Sequence, residues 1–292
     1  MSDRVMSVVI CTHNRPADLR RCLDAVALLD DPVEVIVVDS ASSPSCEDLV
    51  ASYVSRVPSL DYVYESQPGL SLARNRGIER STCAIVAFID DDAAPLPDWA
   101  GRLVGAFVDA SVACAGGTCR AAFTTDRPRW LSDRLLQFSG ITRIGDIARD
   151  VTASTDYPFG ANIAFRRTEL CEVGGFPTNL GRVGRSLLSG EEFAVIEALR
   201  DAGWRVRLEP TAVVDHWVAP ERTHGRYYWR RLWWQGISRA RAARSGSVAL
   251  RLVLAAPIRV ILWAVTRDRF YLYRTAETIG YLREQLRRRP AA

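Results

Sequence analysis

The sequence predicts an α/β fold in which a mainly parallel sheet carries helices on both faces. Two observations lead to this prediction: unbroken apolar runs alternate with segments of helical period, and polar or acidic residues directly follow several of these runs. The chain has 292 residues, of which 48% are hydrophobic and 25% charged, as is ordinary for a globular protein. Ligands of such sheets bind beyond the carboxyl ends of the strands, so we expect the site there.

The first 90 residues contain four predicted strands and the first helix. The strands cover residues 7–11, 33–38, 60–64 and 84–89, and a helical stretch at 46–56 lies between the second and the third. The first helix begins at Pro16, because proline is well tolerated in a first helical turn. Its apolar side chains share one face: Leu19, Cys22, Leu23, Val26 and Leu29.

Beyond residue 110 the periodic pattern is looser. It predicts strands at 112–116 and 162–165, a helix at 191–202, and two short strands at 204–208 and 212–214 that lead to His216. The seven cysteines lack metal-site spacing and several lie in apolar runs, so we interpret them as reduced, structural residues. No signal peptide is recognisable, and the cytoplasm is the expected compartment.

Charge is divided unevenly along the chain. Residues 222–292 contain 16 arginines and three acidic residues, a net charge of +13, while the whole chain carries +4. Lysine is absent from the sequence, and arginine binds phosphates through a planar, bidentate fork. A polyanionic partner and a merely solvated helix face are both open interpretations of this segment. Nucleic acid is not an expected partner.

The apolar stretch at 248–265 lies within this basic segment. Arg251, Pro257 and Arg259 interrupt it, which argues against a transmembrane helix. Arginines and aromatic residues around a moderately apolar helix fit a peripheral position in the membrane interface, at the inner face of the membrane. Packing on the rest of the protein or in a homodimer is the alternative.

Asp90, Asp91 and Asp92 follow the fourth predicted strand. Three adjacent carboxylates repel one another when ionised, and a divalent cation removes that penalty. Hard oxygen ligands suit Mn²⁺ or Mg²⁺, which complete their shells with substrate phosphates. The alternative is an N-cap cluster for a helix beginning near Pro97.

Four ordered segments resemble the successive motifs of family 2 glycosyltransferases. They read VVICTHNR at residues 8–15, VIVVD at 35–39, GLSLARNRG at 69–77 and FIDDD at 88–92. The segments FGAN at 159–162, GGF at 174–176, LGR at 180–182 and LSGEE at 188–192 are similar to the acceptor half of that family. The resemblance covers residues 7 to about 240.

This resemblance implies a GT-A fold, with a Rossmann-like, mainly parallel sheet flanked by helices and a helical basic C-terminal extension. It divides the chain into a nucleotide-sugar-binding half at 1–110, an acceptor-binding and catalytic half at 111–221, and the extension at 222–292. It implies an inverting enzyme that moves a sugar from a nucleotide diphosphate sugar, with a UDP-sugar favoured, to an acceptor hydroxyl. The acceptor is a lipid-linked or growing glycan, with a small metabolite as the alternative.

The resemblance also assigns roles to individual residues. It implies that Asp92 and His216 hold the metal, although a lone histidine is often structural. The donor contacts it implies are Thr12, His13, Asn14, Arg15, Asp39, Arg74, Asp90 and Asp91. Without the surrounding motifs, Asp39 could belong to an ordinary strand-end turn and Arg74 could form a surface ion pair.

The catalytic base is expected at Glu192, where the family normally has aspartate. The longer side chain leaves open whether Glu191 or Glu192 reaches the acceptor, and acids in a first helical turn also stabilise a helix by themselves. Acceptor contacts are implied at Gly160, Asn162, Trp233 and Trp234, although core packing is the commoner fate of such aromatic residues.

Two other classes of protein remain as alternatives. A sugar nucleotidyltransferase also joins an α/β sheet to metal-binding aspartates, but the chain has no lysine-bearing, glycine-rich phosphate loop. A non-catalytic sugar-binding protein would not need the acidic set.

Overall fold

A computed structural model describes residues 4–142, 144–153, 156–242 and 247–288 of the chain. Contacts divide the chain into two compact units. Unit 1 comprises Met1–Ala122, Gly140–Thr178 and Glu191–Trp217, and unit 2 comprises Phe123–Ser139, Asn179–Gly190 and Val218–Ala292. The division at 110 and 221 expected from the motifs stays a prediction, because compactness does not assign a function to a segment.

In the described part of the chain, unit 1 is built on a nine-stranded sheet. The strand order is β3-β2-β1-β4-β8-β6-β9-β5, and β7 pairs with β9 outside this path. The strands are β1 Ser7–Thr12, β2 Glu34–Ser40, β3 Leu60–Glu65, β4 Ile85–Asp90, β5 Ala93–Pro95, β6 Val112–Phe123, β7 Arg149–Asp150, β8 Asn162–Arg166 and β9 Arg205–Val218.

The first four strands are parallel, as predicted. β1 lies between β2 and β4, and its last residues, Cys11 and Thr12, pair with Asp90 and Asp39. Residues of β1, β2 and β4 are buried on both faces, which explains their unbroken apolar runs, while those of the edge strand β3 are only partly buried. The shared direction of the strands brings three carboxyl ends, and the polar residues after them, to one edge of the sheet.

The second half of the sheet is antiparallel. β8 runs antiparallel to β4 and β6, and β5 and β7 run antiparallel to β9. The two short strands predicted at 204–208 and 212–214 are one strand, β9, whose burial alternates along its length. Proline cannot donate a ladder hydrogen bond, yet β9 continues through Pro210. The sheet is therefore mixed, with its parallel part in the N-terminal half.

Helices cover both faces of this sheet. They are α1 Pro16–Val26, α2 Glu47–Ala51, α3 Leu70–Arg80, α4 Trp99–Gly105, α6 Arg167–Glu172 and α7 Glu191–Asp201. In β1, Val8 belongs to the core with α1 and α4, while Val9 belongs to the core with α3, α6 and α7. The two-residue period of the strand thus produces two cores, as predicted for a doubly covered sheet.

Three helix boundaries differ from the prediction by more than one residue. α1 ends at Val26, and Leu29 packs against the core from the chain beyond it. α2 stops at Ala51, short of the predicted residue 56. α4 begins at Trp99 with Asp98 at its N-cap, so the run of Asp90, Asp91 and Asp92 does not cap it and that alternative is wrong.

Unit 2 is helical, with α5 Asp133–Leu136, α8 Gly225–Ala242, α9 Ser247–Thr266 and α10 Arg269–Arg288. α8 and α10 approach closely at two glycines: a Cβ on Gly236 would lie 2.0 Å from the Glu277 carbonyl oxygen, and one on Gly280 2.1 Å from that of Trp233. Buried Glu277 accepts from Arg239 at 2.5 Å and pairs with Arg274 at 2.7 Å. Among the helices that the structure describes, none combines the length and apolarity needed to cross a membrane.

Candidate active site

The candidate site lies in unit 1, at the carboxyl edge of its parallel strands. Thr12 is the last residue of β1, Asp39 is the second-to-last residue of β2, and Asp90 is the last residue of β4. Asp91 and Asp92 continue from β4 into the short strand β5 and are 3% and 2% exposed. Buried carboxylates need compensating partners, and the surrounding side chains supply them.

Arg15 is the main partner of Asp91. Its guanidinium donates to Asp91 Oδ1 at 2.6 Å and to Asp92 Oδ2 at 2.9 Å, while Thr12 Oγ1 donates to Asp91 Oδ2 at 2.8 Å. Burial raises the pKa of Asp91 to about 7, although the charge of Arg15 opposes this shift. Arg15 and Thr12, predicted to contact the donor, therefore also hold the acidic run in place.

Asp90, Asp92 and His216 form the one cluster in the described residues that could hold a metal ion. Their candidate ligand atoms all lie within 4.8 Å of one another. His216 Nε2 is 3.2 Å from Asp92 Oδ1 and 3.9 Å from Asp90 Oδ2. Two carboxylates and an imidazole are donors that Mn²⁺ accepts well and Mg²⁺ tolerates, so the residues present fit the predicted cation.

The antiparallel pairing of β5 with β9 brings His216 to the acids. His216 is opposite Ala93, and the Trp217 N–H donates to the Asp92 carbonyl at 2.8 Å. Burial alone would raise the pKa of Asp90, but the neighbouring His216 imidazole and the charge of Arg74 outweigh it and lower that pKa. Asp90 is therefore held ionised beside the histidine.

Arg74 on α3 makes a buried ion pair with Glu191 at the start of α7. Arg74 Nη1 is 2.9 Å from Glu191 Oε1, and Arg74 Nη2 is 3.5 Å from Asp90 Oδ1. Both partners of the first pair are 3% exposed, so the surface ion pair considered for Arg74 is wrong. A Cβ on Gly160 would lie 2.3 Å from Arg74 Nη2, which shows that glycine here leaves room for the guanidinium.

Glu192 differs from its neighbour Glu191. Its side chain is half-buried, and its Oε2 is buried without a hydrogen-bond partner among the described residues. Glu191 Oε1 instead accepts a hydrogen bond from Arg74 Nη1 at 2.9 Å. The two acids at the start of α7 are thus in different chemical environments.

Asp39 is fully buried and is hydrogen-bonded to the turn after β2 and to β3. Its carboxylate accepts from the Ser42 N–H at 3.0 Å, the Cys46 N–H at 2.7 Å and the Tyr62 hydroxyl at 3.0 Å. The two backbone bonds are those of the strand-end turn that was the alternative for this residue, and the third comes from β3. Contact of Asp39 with a nucleotide stays a prediction.

His13 and Asn14 are exposed beside this turn. His13 Nδ1 is 2.5 Å from the Ser40 carbonyl oxygen, and Asn14 Oδ1 accepts from the Ser43 N–H at 2.8 Å. Asn14 has a φ of 55°, a left-handed conformation that asparagine adopts more readily than most residues. Both side chains are accessible to a ligand at the strand edge.

The predicted acceptor residues occupy three kinds of position. Asn162 is fully buried, accepts from Trp99 Nε1 at 2.9 Å and donates to the Thr118 and Ala212 carbonyls at 3.0 and 2.9 Å, so its position supports a core role. Gly160 borders Arg74, as described. Trp233 and Trp234 are half-buried on α8 of unit 2, where the Arg283 guanidinium lies 5.4 Å from the Trp233 ring centroid. Their acceptor contacts remain predictions.

The sequence profile described as Glycosyl transferase family 2 matches residues 7–170, more than half of the chain. The chain belongs to glycosyltransferase family 2. The match spans the acidic run and the strand edge described above, and it confirms the resemblance found from the motifs.

Relatives of this glycosyltransferase include enzymes of glycan assembly. It is 28% identical over 241 residues to the glucosyl-dolichyl phosphate glucuronosyltransferase of Haloferax volcanii, covering 80% of this chain and 76% of the relative. It is 28% identical over 295 residues to the succinoglycan biosynthesis protein ExoM of Rhizobium meliloti, covering 91% and 88%.

Solved structures confirm the GT-A fold of this glycosyltransferase. The mannosyltransferase PcManGT of Pyrobaculum calidifontis, solved with GDP-Man and Mn²⁺, has a TM-score of 0.64 and 22% identity over 94% of this chain and 86% of its own. GalNAc-T7, solved with UDP, GalNAc and Mn²⁺, has a TM-score of 0.57 and 18% identity over 74% and 43%. At these identities the likeness concerns the fold alone.

Two features of the glycosyltransferase site were not predicted from the sequence. The bonds of Arg15 to the acidic run were missed because they join side chains 76 and 77 positions apart. The strand β5, which aligns Asp92 with His216, was missed because Ala93–Pro95 is too short for a periodic pattern. The sequence did contain a signal for the bonds of Arg15, since a basic residue follows the first strand and an acidic run follows the fourth.

Proposed function

We propose that this family 2 glycosyltransferase transfers a sugar, with inversion at the anomeric carbon, from a nucleotide diphosphate sugar to an acceptor hydroxyl. The observation that carries the proposal is the grouping of Asp90, Asp92 and His216 in the same unit as the Arg74–Glu191 pair and Glu192. Asp90, Asp92 and His216 suit the cation of a departing diphosphate. Glu192 offers a carboxylate that can act as the base.

The donor is proposed to lie along the strand edge. His13 and Asn14 are accessible there, Arg74 supplies positive charge beside Asp90, and Arg15 and Thr12 hold Asp91. A UDP-sugar is the donor we favour, as the motif resemblance implies, and a GDP-sugar is the alternative that the assay below includes.

Mn²⁺ or Mg²⁺ is the proposed cofactor, held by Asp90, Asp92 and His216. When bound, such a cation stabilises the negative charge that develops on the departing diphosphate. Arg15 engages Asp92 Oδ2 and so leaves Oδ1 directed towards His216. The protein thereby orients one oxygen of Asp92 for the cation.

Glu192 is the proposed base. In the displacement the acceptor oxygen forms a bond to the anomeric carbon, the bond from that carbon to the diphosphate oxygen breaks, and the acceptor proton passes to a Glu192 carboxylate oxygen. Glu191 is committed to Arg74, which supports assigning the base to its neighbour. The freed nucleoside diphosphate then leaves.

A lipid-linked or growing glycan is the acceptor we propose, with the reaction at the cytoplasmic face of a membrane. One relative is a glucosyl-dolichyl phosphate glucuronosyltransferase and another a succinoglycan biosynthesis protein, which supports this acceptor class. A small metabolite is the second candidate, because the validoxylamine A glucosyltransferase of Streptomyces hygroscopicus is 33% identical over 108 residues, 35% of this chain and 25% of that relative.

Donor turnover tests the central proposal. The full chain is assayed with UDP-, GDP- and dTDP-sugars in the presence of Mn²⁺ or Mg²⁺, beside Asp92→Asn and the exposed-site control Asp98→Asn. We expect metal-dependent turnover of one donor by the wild type and by Asp98→Asn, and its loss in Asp92→Asn. Failure of the wild type to bind or turn over any nucleotide sugar, or equal turnover by both variants, would contradict the proposal.

A further inference from the structure

The outward face of α9 in unit 2 is apolar along most of the helix. Leu254, Ile258, Ile261 and Val265 are 62%, 58%, 62% and 77% exposed. Their spacing of four, three and four residues places them in one stripe, about 16 Å long at 1.5 Å per residue. Val253 and Val260, 44% and 45% exposed, widen the stripe on one side.

The inner side of the same helix is also apolar apart from one arginine, since Leu252 is 4% exposed and packs with Ala240 and Tyr281. Arg259 lies on the side facing α10, where its Nη1 donates to the Arg274 carbonyl at 3.1 Å and to Thr278 Oγ1 at 2.9 Å. A surface helix in water normally directs its charged residues outward and its apolar stripe inward. α9 instead exposes an apolar stripe, as expected for a helix whose outer surroundings are apolar.

Charge determines which partner fits this face. Residues 222–292 carry a net charge of +13, and Arg251 and Arg267 are exposed near the two ends of the stripe. The acidic residues of α10 are already engaged, Glu277 by Arg239 and Arg274 and Glu284 by Arg241. A second copy of the chain would bring another strongly basic segment against this one, whereas anionic lipid headgroups would neutralise it.

We infer that α9 is an interfacial membrane anchor, with its apolar stripe among the acyl chains and the surrounding arginines at anionic headgroups. The exposed stripe and the basic charge are the two components of such binding. The helix lies along the membrane surface, where Pro257 and Arg259 are tolerated. This inference deepens the proposed lipid-linked acceptor, but membrane binding and sugar transfer can fail independently.

Vesicle flotation of the full chain tests the anchor. Vesicles of phosphatidylglycerol and phosphatidylcholine are compared with vesicles of phosphatidylcholine alone, using wild type, Ile258→Glu/Ile261→Glu and Val108→Glu/Ile147→Glu. The control pair makes the same change of charge at sites of unit 1 that are 89% and 78% exposed. We expect the wild type and the control to float with anionic vesicles and the α9 variant to bind at least about tenfold more weakly.

Two further readouts separate the possible outcomes. Ile261→Trp is expected to show blue-shifted fluorescence that brominated acyl chains quench, and donor turnover without vesicles is expected to be unchanged in the α9 double variant. Absence of wild-type binding, or equal binding by both double variants, would overturn the anchor. Light scattering that shows a wild-type dimer and a monomeric α9 variant would instead assign the face to a second copy.

Discussion

Arg74 and Glu191 form a buried ion pair, 2.9 Å long, between positions 117 residues apart in the chain. The pair connects α3 with α7, and Arg74 also lies 3.5 Å from Asp90 at the acidic run. It therefore links the proposed donor and base regions of unit 1. Because both partners are buried, the removal of either one leaves an uncompensated charge.

Arg74→Met is expected to lower the free energy of unfolding by about 3–5 kcal/mol, since Glu191 stays buried without its cation. Urea unfolding followed by circular dichroism measures this change. Arg76→Met on the same helix is the matched control, because that arginine is 51% exposed and its pair with Glu79 is at the surface. Equal effects of the two substitutions would show that the buried pair adds no stability.

Glu192→Gln is expected to lower kcat by about 10²–10⁴-fold, because the amide cannot accept the acceptor proton. Donor binding should stay near the wild-type level, as Glu192 is not part of the metal cluster. Glu197→Gln, an exposed position on the same helix, is the control and should retain activity. If Glu191→Gln lost turnover while Glu192→Gln kept it, the base would be Glu191.

Gly160→Ala is expected to displace the Arg74 guanidinium, since the new Cβ would be 2.3 Å from Nη2. We expect a loss of stability of about 1–3 kcal/mol, as for overpacking in a tight core, together with weaker donor turnover. Gly105→Ala is the control, because no atom lies within 4 Å of a Cβ there. Thermal unfolding and turnover of both variants check this, and a fully active, stable Gly160→Ala would refute the steric argument.

Arg15→Gln is expected to destabilise the metal-free protein by about 1–2 kcal/mol, because Asp91 and Asp92 lose a cation that is itself 31% exposed. Mn²⁺ can replace part of that charge, so its addition should raise the melting temperature of this variant more than that of the wild type. Melting curves in EDTA and in Mn²⁺ measure the difference. Arg102→Gln, which alters an exposed pair with Asp98, should respond to Mn²⁺ as the wild type does.

Much of the strand edge could be predicted from the sequence. The apolar runs of β1, β2 and β4 and the polar residues after them are local patterns, and parallel neighbours necessarily bring their carboxyl ends together. The motif resemblance placed His216 beside the acids, and the structure brings it there through the pairing of β5 with β9. The strand edge needed only the order of residues and the period of a strand, whereas His216 came from the resemblance.

Tertiary structure alone decided which side chains pair across the unit. Arg15 was expected to contact a nucleotide and is hydrogen-bonded to Asp91 and Asp92. Asn162 was expected to contact an acceptor and is hydrogen-bonded within the core. Gly160 is glycine because the Arg74 guanidinium occupies the adjacent space. Tertiary structure likewise decided that Leu254, Ile258 and Ile261 of α9 are exposed while Leu252 is buried. Local patterns reflect neighbours along the chain, whereas these pairings depend on packing and strand register between distant segments, which no local period encodes.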